Sequence, residues 1–175
     1  MRAFISIKFP PKILMQIKSI QEALPEFSGK KTELKNLHLT LKFLGEVSSE
    51  DIEKIKLRLR KINYNKFGAE IKDCGFFDKG QEGRGILWLG ITNCENLQKQ
   101  IDNSLEGVYE KEKRFMAHLT IARVKNIIDK KKFNDGLAKI KLSKISFIID
   151  KFYLIESNLK KEGPEYSIIE EYNLE

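Results

Sequence analysis

The sequence predicts an α+β fold: two pseudo-twofold-related β-α-β-α-β lobes, with mainly antiparallel sheets facing a central cleft and helices outside. Three observations predict it. Apolar residues alternate with a period of two in some segments and recur at helical spacing in others, and the two kinds of segment follow one another in the same order twice. The tetrapeptides H-L-T-L (His38 to Leu41) and H-L-T-I (His118 to Ile121) sit at matched places, 80 residues apart, a repeat far too long for a solenoid. No Ser/Gly-rich linker divides the chain, so residues 1–175 read as one domain. The repeat puts its first lobe over about 1–80 and its second over about 84–156, with exchange of strands between them allowed, and leaves 157–175 for a C-terminal turn and strand.

Arg2 to Phe9 alternates and reads as a strand. Pro10-Pro11 starts a helix, because proline's fixed φ and missing N–H suit the first helical position, and Ile13, Leu14, Ile17, Ile20 and Leu24 form its apolar stripe. A polar loop is expected through Ser28, Gly29, Lys30 and Lys31. Leu37 to Val47 alternates like a strand. Ser48 or Ser49 caps a helix carrying Ile52, Ile55, Leu59 and Ile62, and a strand near Phe67 to Phe77 closes the first half. The order then repeats. Ile86 to Ile91 is a strand; Asn93 precedes a helix using Leu97, Ile101, Leu105 and Val108; a charged loop runs from Glu110 to Arg114. Ala117 to Val124 is a strand, Asp129 to Ile140 a helix, and Leu142 to Ile155 one long strand. Gly163-Pro164 is expected to turn the chain before a last strand around Tyr166 to Ile169. The Lys79 to Gly85 segment, K-G-Q-E-G-R-G, reads as a flexible turn and not a P-loop, since no G-K-[ST] follows and no helix starts there. Trp88, inside an apolar strand, is expected in the core.

Composition bounds the function. With 32 Lys plus Arg against 25 Asp plus Glu, the formal charge of +7 suits a polyanion partner, because clustered cations release counterions on binding phosphates. The interleaved Lys and Glu of Glu50 to Lys61 equally suit a solvated helix face. A 41% hydrophobic content with only 11 Gly and 4 Pro excludes a collagenous or wholly disordered chain. Met1 to Pro11 lacks the apolar core and cleavage site of a signal peptide. No run approaches the roughly 18 apolar residues of a spanning helix. A soluble, cytoplasmic protein without a membrane partner is therefore expected, with Cys74 and Cys94 as reduced, partly buried thiols that lack metal-ligand spacing. Two histidines in the whole chain leave two candidates for chemistry that needs imidazole near neutral pH.

Side chains two apart on a strand share a face. His38 with Thr40, and His118 with Thr120, therefore project to one side, while Leu37, Leu39 and Leu41, like Ala117, Leu119 and Ile121, pack under helices. Two facing lobes bring the imidazoles together. A lone strand histidine is more often a hydrogen-bonded surface residue than a catalyst; both histidines in one pattern at matched places of a repeat reverse that balance. One imidazole can deprotonate a nucleophile while the other protonates a leaving oxygen, each transfer being worth roughly 10² to 10⁴ in rate. Hydrolysis or cyclisation at phosphorus fits this pair, with the threonine hydroxyls donating to phosphate oxygens. Zinc normally takes three or four protein ligands; two histidines alone make a poor site, so no metal and no other cofactor is expected.

The opening M-R-A-F-I-S-I-K-F, the blocks N-L-H-L-T-L-K-F-L-G-E-V and F-M-A-H-L-T-I-A-R, and the closing L-I-E-S-N-L-K-K-E-G-P-E-Y carry a resemblance over nearly the whole chain. They resemble the two-histidine (2H) phosphoesterase superfamily, and within it the RNA 2′,3′-cyclic phosphodiesterases, also called 2′-5′ RNA ligases. The resemblance implies metal-independent opening of an RNA 2′,3′-cyclic phosphate to a 2′-phosphomonoester. His118 would accept the proton of water, His38 would donate one to the departing 3′ oxygen, and Thr40 and Thr120 would hold the nonbridging oxygens. The expected substrates are RNA ends or small cyclic nucleotides carrying that phosphate, and a monomer is expected.

Arg123 stands as in the family's H-L-T-x-A-R, and a guanidinium fits phosphate in a bidentate way. Strict alternation turns Arg123 away from the face of His118, so contact with substrate requires a strand end, twist or bulge. Phe43, Arg114 and Phe115 flank the motifs and are candidates for shaping the cleft or stacking a base, with core packing the simpler expectation for both phenylalanines. Arg84 is a candidate RNA contact. Ala117 stands where the family usually has proline. Two other functions fit the same residues: reversible 2′-5′ joining of RNA in the same site, and a non-catalytic RNA-binding module.

Overall fold

The computed structural model describes residues 1–80 and 83–175; Gln81 and Glu82, inside the expected Lys79 to Gly85 turn, lie outside the described residues. The described residues form nine strands: β1 (Arg2–Lys8), β2 (Ser28–Lys31), β3 (His38–Glu46), β4 (Phe67–Asp78), β5 (Gly85–Ile91), β6 (His118–Asn126), β7 (Ile145–Ile149), β8 (Lys151–Lys160) and β9 (Gly163–Asn173). Helical spacing yields α1 (Pro11–Glu22), α2 (Ser49–Leu59), α3 (Glu95–Ser104) and α4 (Lys130–Ala138). The helix starts follow local chemistry. Pro11 occupies the first turn of α1. Ser48 Oγ accepts the Asp51 N–H at 3.1 Å, and Asp129 Oδ1 accepts the Lys132 N–H at 2.9 Å, each satisfying an otherwise unpaired helix donor.

The strands form one antiparallel sheet in the order β7-β4-β5-β6-β3-β1-β8-β9. Its centre is the weakest seam: β3 and β6 meet at a single pair, Leu39 with Leu119, because the two antiparallel strands begin at His38 and His118 and overlap only at their first residues. β4, from the first half of the chain, pairs with β5, and β8, from the second half, pairs with β1. Leu39, Leu41, Leu119 and Ile121 are buried, as are Ile17 of α1, Ile55 of α2 and Leu97 and Ile101 of α3, which cover the apolar face. Each such side chain contributes about 1.5–3 kcal/mol through burial.

Four features depart from expectation. The long strand over Leu142 to Ile155 is broken at Asp150 into β7, at one end of the strand order, and β8, next to the last strand at the other. Ile149 and Lys151 are separated by one residue, so their Cα atoms are at most about 7.6 Å apart; the sheet therefore curves until its two ends approach at Asp150. The Gly163-Pro164 pair is not a turn: the reversal is at Lys161 and Glu162, and β9 begins at Gly163. Val108 lies beyond the end of α3 and is exposed.

The expected polar loop at Ser28 to Lys31 is also a strand. All four residues of β2 are exposed, so no apolar period marks it, yet it pairs with β6 from Ala122 to Asn126, along the edge that β3, which begins only at His38, does not cover. Gly29 permits this. Its φ is +154°, and a Cβ there would lie 2.1 Å from the Arg123 carbonyl oxygen. Gly29→Ala is expected to destabilise the fold by about 1–3 kcal/mol, read as a lowered Tm; an unchanged Tm would mean that β2 is not held against β6.

Candidate active site

Two equivalent bulges build the site. In the β1–β3 ladder Ile5 pairs with Lys42 but Ser6 with Thr40; in the β5–β6 ladder Leu87 pairs with Ala122 but Trp88 with Thr120. Each bulge inserts one extra residue and reverses the alternation beyond it. Leu41 and Lys42 are both buried, as are Ile121 and Ala122, and the next residues, Phe43 and Arg123, emerge on the face that carries the histidines. The bulge that Arg123 required is therefore present. It also reverses the expectation for Phe43, which is 74% exposed instead of packed in the core. Phe115 is half-buried and does pack against the core.

His38 Nδ1 lies 2.7 Å from the Asn36 carbonyl oxygen, and His118 Nδ1 lies 2.7 Å from that of Met116. A carbonyl oxygen only accepts, so in each ring Nδ1 carries hydrogen and donates, and the neutral ring keeps Nε2 as its acceptor. The register through Leu39 and Leu119 sets His38 diagonally across from His118, with a threonine beside each. Aromatic rings wall both imidazoles. Phe4 lies 4.8 Å and Tyr166 5.1 Å from the His38 ring, and Phe77 lies edge-on to His118 at 5.5 Å. Burial lowers the His38 pKa below the ordinary histidine value; the hydrogen bond to Asn36 opposes this, and the charges of Lys8 and Arg123 add to the lowering.

A cavity of about 500 Å³ opens over this face. His38, Thr40, Phe43, Arg114, Phe115, His118, Thr120 and Arg123 all line it. Lys30 and Lys31 of β2 also reach it, beside Glu33, Glu112 and Glu162. Lys30 is engaged by the Glu33 carboxylate at 3.3 Å and the Glu162 carbonyl at 3.1 Å. Among the described residues no carboxylate lies within 4.0 Å of the Lys31, Arg114 or Arg123 cationic groups, so the cavity wall holds cations without neutralising partners. No group of three or more His, Cys, Asp or Glu side chains converges among the described residues.

Arg84 is not brought to this cavity. Gly85 pairs with Val124 while Gly90 pairs with His118, so Arg84 stands before the start of β5, six residues and roughly 20 Å of strand from the level of His118, and it is not among the residues that line the cavity. Conversely, sequence reading missed Tyr166, Asn36 and β2. Tyr166 reaches His38 because Asn36 Nδ2 donates to the Pro164 carbonyl at 3.1 Å and fixes the β8–β9 hairpin against the turn before β3. Such a contact spans 128 residues and has no local signal.

The chain belongs to the LigT-like phosphoesterase family: the family model described as LigT like Phosphoesterase matches residues 7–88 and again 91–166, once for each half of the repeat. Among its relatives, the RNA 2′,3′-cyclic phosphodiesterase of Methanocaldococcus jannaschii is 35% identical over 176 residues, covering 98% of this chain and 100% of that protein. That of Thermotoga maritima is 32% identical, covering 100% and 96%. The crystal structure of Escherichia coli LigT complexed with 3′-AMP has the same fold, with a TM-score of 0.79 at 23% identity over 99% of this chain and 97% of that one. TT0787 of Thermus thermophilus is similar, at a TM-score of 0.78 and 23% identity over 99% of this chain and 97% of that one.

Proposed function

We propose that this protein, as a single 2H domain over residues 1–175, hydrolyses RNA 2′,3′-cyclic phosphate ends to 2′-phosphomonoesters by paired histidine acid-base catalysis. One observation carries the reading: both histidines present Nε2 from equivalent strand positions into one cation-lined cavity, each with its tautomer set by a carbonyl two residues back. Water attacks phosphorus and gives its proton to His118 Nε2, the bond from phosphorus to O3′ breaks, and His38, entering protonated, delivers its Nε2 proton to O3′. Solvent then returns each ring to its starting charge. Thr40, Thr120 and Arg123 donate to the nonbridging oxygens, where negative charge accumulates in the transition state. Phe43 offers an exposed face to a base, Phe115 shapes the wall, and Arg114 supplements the charge.

The substrate class, RNA ends or small cyclic nucleotides, is supported by the names of the relatives and by the cavity's cations. We place the protein in the cytoplasm as a monomer. Burial pushes the Cys74 thiol up to about 11 and the Cys94 thiol to about 12, so both stay protonated near neutral pH. No helix among the described residues is long and apolar enough to cross a membrane.

The test is incubation with an oligonucleotide ending in a 2′,3′-cyclic phosphate, with and without a 5′-hydroxyl partner. A 2′-phosphate product in both cases is expected; a 2′-5′-joined product dominating in the second would make ligation the principal reaction, and no turnover would overturn both.

The His38 shift has a sign that kinetics can read. His38 acts protonated, so the alkaline limb of kcat/KM for a cyclic nucleotide should fall below the ordinary histidine value of about 6.5. Lys8→Gln removes a cation that opposes imidazolium, and should move that limb to higher pH. A limb that stays, or moves down, would contradict His38 as the acid.

A further inference from the structure

We infer that Lys42 is a positioning residue that holds His118 in its working tautomer from the opposite half of the sheet. The inference rests on the reading that His118 acts on substrate. Lys42 directly follows the extra residue of the β3 bulge, Leu41, and Ala122 directly follows that of β6, Ile121. Both are buried, so the bulge itself requires no charge. The Lys42 ammonium instead donates to Asp102 of α3 and, at 2.7 Å, to the Glu110 carbonyl. Asp102 Oδ2 accepts the Gln98 Nε2–H at 2.7 Å and the Glu112 backbone N–H at 2.9 Å.

Residues 110 and 112 are thereby pinned, the second of them four residues before the Met116 carbonyl that receives His118 Nδ1–H. The two halves differ in the way that makes this necessary. Before His38, a single 3-10 turn, Leu34–Asn36, fixes the Asn36 carbonyl: Asn36 N–H donates to Glu33 at 2.9 Å and Leu37 N–H to Leu34 at 3.2 Å. No regular element is assigned from Glu110 to Ala117. The buried pair stands in for the missing turn. Lys42 and Asp102 are each under 10% exposed, so the pair is shielded from solvent and holds the loop as a fixed anchor.

With two histidines in the chain, side-chain ¹⁵N spectra contain only two imidazoles, and the tautomer of each can be read directly. Two variants are measured: Lys42→Met combined with Asp102→Leu, which replaces the pair by apolar groups of similar size, and Asp102→Asn, which keeps the shape but not the charge. In both, His118 is expected to shift toward a mixture of Nδ1–H and Nε2–H forms while His38 keeps its wild-type signature. kcat should fall, on the order of 10²-fold for the double variant, with KM for a cyclic nucleotide changed far less. A wild-type His118 signature in both variants overturns the inference, even if kcat falls. A shifted His118 signature with unchanged kcat supports the positioning role and instead overturns the reading that His118 is catalytic.

Discussion

His118→Ala is expected to lower the rate of opening a 2′,3′-cyclic phosphate by about 10²- to 10⁴-fold, and His38→Ala by a similar factor. The two losses should not multiply. In the proposed mechanism the rings serve one step, one taking the proton of the attacking water as the other supplies the departing O3′, so a variant lacking both should be little slower than either single variant. Affinity for a nucleoside 2′-phosphate should change much less than kcat, because Thr40, Thr120 and Arg123 remain in the cavity. A steady-state assay with a saturating cyclic nucleotide separates the two quantities. Turnover within a few-fold of wild type in either variant would favour a binding module over an enzyme.

The second large effect concerns stability. Lys42→Met leaves the Asp102 carboxylate buried without its cation, and breaking a buried pair in this way costs about 3–5 kcal/mol. For a chain of this size that corresponds to a Tm lowered by roughly 6–20 °C. The effect has a pH dependence of definite sign. Burial alone would raise the Asp102 pKa, but hydrogen bonds from Lys42, the Glu112 backbone and Gln98 outweigh it and hold the carboxyl below its ordinary value. In the wild type this contribution is complete above the unfolded value of about 3.9 and is lost as pH falls through the folded one. In the variant burial acts without the cation, so Asp102 protonates at higher pH. The Tm difference should be widest near neutrality and narrow as the medium is acidified. A constant difference would mean that the loss is packing and not charge.

The pairing of the two histidines was legible because it is written locally. Period-two alternation around His38 and His118 fixes which side chains share a face, and the repeat supplies each imidazole with its partner. Alternation also misled where it breaks. Nothing in L-T-L-K-F or L-T-I-A-R announces the bulge at Leu41 and Ile121, because a bulge depends on the partner strand; without it, Phe43 is assigned to the core and Arg123 is turned away. β2 was illegible for a different reason: S-G-K-K has no apolar face, and it becomes a strand only because β3 and β6 overlap at their first residues alone, leaving the rest of that β6 edge to be filled. The break at Asp150 follows from closure of a curved sheet, which a continuous apolar run does not encode. Tyr166 beside His38 and Asp102 beneath Lys42 arise from contacts between residues far apart in sequence, and so carry no local pattern.

In the proposed mechanism two imidazoles from equivalent halves of a repeat share one phosphate. Titrating the protein with a nucleoside 2′-phosphate, while following its two imidazole resonances, tests this most directly. Both resonances are expected to move and to saturate at one ligand concentration, with a single equivalent bound. Binding that moves only one of them, or neither, would contradict the shared site.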